Sequence, residues 1–155
     1  MAEPADLSPM IVDRLYGEAL ALADEARAAF DLSGRMESTS LDADLARVAL
    51  GCEALRATTR MMHSIAWLLN HRAYFAGELS EFQLRRFGRL PPAQPNDDPE
   101  RVALLAPELG ELVERTSRFY ARIERLDAAW RGRFVMHPAA IHRLRDRLGS
   151  AVAAL

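Results

Sequence analysis

Four histidines and one cysteine are the first places to look for chemistry in this chain of 155 residues, and their spacing argues against it. His63, His71, His137 and His142 form no Glu-x-x-His pair and no His pair at i,i+4 spacing. A carboxylate-bridged dimetal site in a helical bundle needs such pairs, so no metal is expected. Cys52 has no second cysteine to pair with and reads as a small core residue rather than a nucleophile. The chain has no glycine-rich phosphate loop, no nucleophile elbow and no redox cysteine pair. The run Arg85-Arg86-Phe87-Gly88-Arg89 could touch phosphate, but in a chain of net charge −2 it reads as a solvated helix end. No convergent set of titratable groups falls on one helix face, so neither catalysis nor a cofactor is expected.

Binding is the better prospect. Glu53, Arg56, Arg60, His63, Trp67, Asn70 and Tyr74 fall on one stripe of a helix. Arg, Trp and Tyr dominate binding hot spots, so Arg56, Arg60, His63, Trp67 and Tyr74 are candidate partner-binding residues. The competing reading pairs Glu53 with Arg56 locally and packs Trp67 and Tyr74 under a loop. Arg60 has no carboxylate three or four residues away along the helix. Its counter-group must lie on another helix, on a partner, or be water.

The elements that carry these residues follow from punctuation. Ser8-Pro9 reads as an N-cap and first helical residue, and Gly34 as a stop, giving a helix over 9–33. Glu37 to Ser40 offer caps for a second helix over 41–78 with no proline inside it. Ser80 could cap a short turn through Phe87. Four prolines between Leu90 and Pro99 make that stretch a linker. A short turn near Arg101 to Leu105 leads to Pro107, which opens a third long helix over 107–131, and a short tail helix covers 138–148. The expected fold is all-α: one domain over 1–155, an up-down three-helix bundle with a very long central helix and a short C-terminal helix.

The central helix has two apolar seams. Leu41, Leu45, Val48, Cys52, Leu55, Thr59, Met62, Ala66, Leu69, Ala73 and Ala76 form an unbroken heptad series. Nearly opposite run Leu50, Ala54, Ala57, Met61, Ser64, Leu68, His71 and Phe75. Either the other two long helices cover one seam each, or a second copy of the chain covers one. The small residues Ala54, Ala57 and Ser64 would allow close approach. The expected homodimer seam is therefore Leu50, Ala54, Ala57, Met61, Leu68 and Phe75. The tail helix, with Ile141, Leu144 and Leu148 on one side, either docks on its own bundle or serves as an arm for a partner.

Composition sets the outer bounds. Half the residues are hydrophobic and 27% are charged, an ordinary globular balance. All 20 basic residues are Arg, and the slightly negative net charge disfavours nucleic acid or a membrane surface as partner. No apolar run approaches the ~20 residues of a membrane span, and the acidic first residues do not read as a signal peptide. A single cysteine fits a reducing cytoplasm.

One segment carries a recognisable pattern. Glu53, Arg56, Thr58-Thr59-Arg60, Met62, Ala66-Trp67-Leu68-Leu69, Arg72-Ala73 and Gly77-Glu78-Leu79-Ser80 resemble the central helix of the regulator of CtrA degradation (RcdA) family of alphaproteobacterial helical proteins. Glu53, Thr58, Thr59 and Arg72 belong to that signature. The resemblance is specific over these residues and merely compatible over the first and third long helices. Beyond Leu90 nothing matches closely. It implies a dimerising three-helix bundle without enzymatic activity. It further implies an adaptor that delivers protein cargo to the ClpXP unfoldase-protease, together with a response-regulator adaptor, in cell-cycle proteolysis. The alternative is a small helical scaffold or regulatory binding protein with no link to proteolysis.

Overall fold

The computed structural model describes residues 7–34, 41–95, 98–133 and 138–153, and these are all helix, turn or loop, with no strand among them. Six helices follow in order: α1 (Pro9–Gly34), α2 (Leu41–Phe75), α3 (Glu81–Phe87), α4 (Pro99–Ala103), α5 (Pro107–Gly132) and α6 (Pro138–Ala153). The cap candidates Glu37 to Ser40, and His137, lie outside the described residues.

Local chemistry sets most boundaries. Ser8 caps α1, its hydroxyl accepting the Ile11 N–H at 3.3 Å, with Pro9 in the first turn. Pro107 likewise sits in the first turn of α5, which follows Ala106 and has no side-chain cap. The 35-residue α2 ends at Phe75, three residues before the sequence expectation. Gly77 adopts φ 79° there, and the Glu78 N–H reaches back to the Ala73 carbonyl at 2.9 Å. That six-to-one closure needs a left-handed residue, which glycine supplies without strain. The tail helix runs past its expected end at 148 to Ala153. A helical glycine costs only about 1 kcal/mol, and Ala151 and Ala153 after Gly149 favour helix.

α1, α2 and α5 pack on one another, with α1 lying along α2. Their core draws on Val12, Leu15, Ala19 and Leu22 from α1, Met61, Trp67 and Leu68 from α2, and Leu112, Phe119 and Ile123 from α5. Two ion pairs strap α1 to α5 at the surface. Glu25 takes both guanidinium nitrogens of Arg115 at 2.6 and 2.9 Å, and Arg122 meets Glu18 at 3.2 Å. The Arg115 hydrogen bonds hold the Glu25 carboxyl below its usual range.

Candidate functional site

The two seams of α2 have opposite fates. Ala57, Met61, Ser64, Leu68 and His71 are buried, and Leu50, Ala54 and Phe75 are half-buried. The seam expected to pair with a second copy therefore faces the chain's own core. Its small residues Ala57 and Ser64 are buried within the chain itself. The other seam is left outside. Leu45, Val48, Leu55, Met62 and Leu69 are each between 44% and 69% exposed. Cys52 and Thr59 are half-buried and Ala66 is exposed. The Thr59 hydroxyl bonds back to the Leu55 carbonyl at 2.8 Å, so it asks nothing of a neighbour. From Leu45 to Leu69 this apolar line is roughly 36 Å long at 1.5 Å per residue.

The stripe of candidate partner-binding residues also turns inward. Trp67 is buried, and its indole N–H donates to Asp127 of α5 at 2.8 Å. Arg60 is buried and donates to the Thr116 hydroxyl at 3.3 Å. Arg56 is half-buried and donates to the Pro95 carbonyl. Tyr74 is half-buried, edge-on to Trp130 at 6.4 Å, and His63 is half-buried. Arg60 and Trp67 are core residues of one chain, which corrects their reading as an exposed hot spot. Their partners lie some 60 residues away, beyond anything spacing along α2 could reveal.

Two of the signature residues, Glu53 and Arg72, prove to be clamps. Glu53 is fully buried and faces Arg101 of α4 at 3.6 Å and Arg56 at 3.9 Å, which pins α4 to α2. Arg72 meets Asp13 of α1 at 2.8 Å and stacks over the Tyr16 ring at 4.5 Å. Thr58 is exposed beside the outer seam. The proline-rich linker is strapped down by the Arg56–Pro95 bond, a bond from the Tyr120 hydroxyl to the Pro91 carbonyl, and the buried Leu90. Beneath it a cavity of about 120 Å³ lies between Arg60, Tyr120 and Glu124.

One titratable group stands apart. His71 is fully buried, stacked on Trp67 at 3.7 Å and edge-on to Trp130 at 5.3 Å. Its Nδ1 lies 2.9 Å from the Trp67 carbonyl, and its Nε2 has no hydrogen-bond partner among the described residues. Burial lowers its pKa below the ordinary 6.5, outweighing the Trp67 carbonyl and the Asp127 charge. A histidine with a depressed folded pKa takes up its proton on unfolding first. Folding stability is thus full above 6.5 and falls as pH drops from there toward the folded pKa. Denaturant titrations across that window should show acid destabilisation in the wild type and a flatter slope in His71→Phe. Equal slopes would show that His71 does not titrate in this way.

One further surface escaped the sequence reading. Phe82 and Phe87 of α3 are 70% and 72% exposed. The only hint was the basic run beside them. On α6 every described side chain from His142 to Val152 is exposed, including Leu144, Leu148 and Val152. No group of three or more His, Cys, Asp or Glu among the described residues could hold a metal ion. No helix among the described residues is long and apolar enough to cross a membrane.

A family model described as "Protein of unknown function (DUF1465)" matches residues 4–152. No curated protein and no solved structure matches the chain.

Proposed function

The chain belongs to the DUF1465 family, and we propose that it works as a non-enzymatic protein-binding module that pairs with a second copy of itself. The observation that carries this is the exposed seam Leu45–Val48–Leu55–Met62–Leu69 on α2. Its steps of three and seven are those of a helix made to interlock with another helix. Burying a Leu, Val or Met side chain contributes about 1.5–3 kcal/mol. Ten such side chains across a two-fold interface, each already partly covered in the single chain, give about half the full-burial sum, roughly 8–15 kcal/mol, against an association cost of about 4–15 kcal/mol. The same stripe on both partners suits an isologous two-fold pair.

In this reading α1, α2 and α5 are an up-down three-helix bundle whose long central helix serves both its own core and the partner. The resemblance of residues 53–80 to the RcdA family supports a more specific role. The dimer would act in the cytoplasm as an adaptor bringing protein cargo to the ClpXP unfoldase-protease, with a response-regulator adaptor as co-partner. The exposed α6, with Leu144, Leu148 and Val152 on one line, is suited to be its mobile arm. Light scattering should give twice the chain mass, and a monomer at high micromolar concentration would refute the pairing. Pull-down on ATPase-inactive unfoldase should retain the chain. Its absence there, with the dimer intact, would leave a helical scaffold unconnected to proteolysis.

A further inference from the structure

A helix of seven residues holding two phenylalanines in water is held there by design of its surroundings. α3 is closed at its start by a reciprocal capping box. The Ser80 hydroxyl accepts the Gln83 N–H at 3.2 Å, and the Gln83 side chain accepts the Ser80 N–H at 2.9 Å. Leu84 is fully buried and nails one face inward. At the far end the Gly88 N–H donates to the Leu84 carbonyl at 2.8 Å. A Cβ on Gly88 would sit 2.6 Å from Leu84 Cδ1 and 2.7 Å from the Leu84 carbonyl oxygen, so the turn packs too closely for any other residue. Arg131 of α5 donates to the Arg85 carbonyl at 3.1 Å and ties α3 to the end of α5. The helix is short, yet fixed at both ends and in the middle.

With Leu84 inward, helical spacing sets Phe82 and Arg86 together on the outward side, one turn apart. The Arg86 guanidinium lies 5.3 Å from the Phe87 ring centroid. A shallow groove of about 610 Å³ runs over Ser80, Glu81, Phe82, Arg85 and Arg86. Between Ser80 and Arg89 three arginines stand against one carboxylate, Glu81, in a chain whose net charge is −2. The local sign is thus the reverse of the whole.

We propose that the outward face of α3 is a docking surface for a short acidic segment of another protein, with an aliphatic residue seated against Phe82 and carboxylates on Arg85, Arg86 and Arg89. Arginine matches carboxylate in a planar two-point contact, and aromatic residues supply the apolar anchor. Because α3 is already rigid, the surface loses little freedom on binding. Polyanions fit less well. Three guanidiniums give a membrane surface only about 1 kcal/mol each, and they neutralise too few phosphates to hold nucleic acid on a negatively charged chain. The inference gives the protein-binding reading a partner chemistry but does not depend on pairing through α2.

The test is selection of a displayed library of random peptides on the full-length chain. Enriched peptides should combine Asp or Glu with Leu, Ile or Met, and a synthetic copy of the consensus should shift the amide resonances of residues 80–89. Phe82→Ala with Phe87→Ala, and separately Arg86→Glu with Arg89→Glu, should each weaken that peptide at least about tenfold. Melting temperature and dimer mass should stay unchanged, since all four side chains are exposed. A basic or absent consensus would overturn the proposal, as would binding to phosphatidylserine vesicles or single-stranded DNA in preference to peptide. Monomers formed by the Phe82/Phe87 variant would show a second copy to be the occupant instead, and would equally overturn it. Failure of the α2 pairing alone shows in the mass of the wild type, so the two outcomes stay distinct.

Discussion

Met61→Glu combined with Leu68→Glu should abolish folding, while Leu55→Glu combined with Met62→Glu should give a folded monomer. The two pairs sit on the same helix at similar spacing, so helix propensity cannot separate them. Met61 and Leu68 are almost wholly buried against α1 and α5. A carboxylate forced into that space is unpaired, which costs several kcal/mol per group. Two of them exceed much of the roughly 5–15 kcal/mol that holds an ordinary domain together. Leu55 and Met62 point away from that core and are more than half exposed. Glutamate is a good helix former and is solvated there, so the fold survives. Facing copies would then set like charges against one another within the seam. Circular dichroism melting and sedimentation velocity read the two effects separately. A folded monomer from the Met61/Leu68 pair, or a surviving dimer from the Leu55/Met62 pair, would reverse the assignment of the seams.

The second large effect is expected at Trp67. Trp67→Ala should lower stability by about 3–5 kcal/mol, the range for emptying an aromatic site in a core. The loss goes beyond volume, because Asp127 is buried and accepts from the indole N–H at 2.8 Å. Arg131 remains to bond Asp127 at 3.1 Å, but one of its donors is gone. Trp67→Phe keeps most of the packing and removes only that donor, so its cost should be smaller, about 1–3 kcal/mol. Urea denaturation gives both values. Comparable stability of the alanine variant and the wild type would mean that Trp67 is not part of the core.

Much of the fold is legible in the sequence because its stops are chemical. Ser8-Pro9, Pro107 and the glycine after α2 each act through a local bond or a local backbone angle. What spacing cannot show is which of two apolar seams a helix turns inward. Leu50 to Phe75 and Leu45 to Leu69 have nearly the same period and are both apolar. The choice shows only in the fold, which buries the side carrying Ala57 and Ser64. The Arg60–Trp67 stripe was misleading for a related reason. Arginine and tryptophan are common both in hot spots and in cores that offer them partners. The partners here, Thr116 and Asp127, belong to α5 and come near only once the chain has folded. Phe82 and Phe87 were overlooked because a seven-residue helix is too short to show a period of its own.

The strap over residues 90–95 has a consequence for how this chain can vary. Arg56 and Tyr120 both grip main-chain oxygens, those of Pro95 and Pro91. Main-chain oxygens are the same whatever residue carries them, so exchanging either proline leaves both grips available. Inserting one residue between them is different. It shifts one oxygen by about 3.3–3.6 Å, farther than a hydrogen bond can stretch. The strap is thus measured by its length and not spelled by its letters. Descendants of this sequence are free to rewrite it but not to lengthen it.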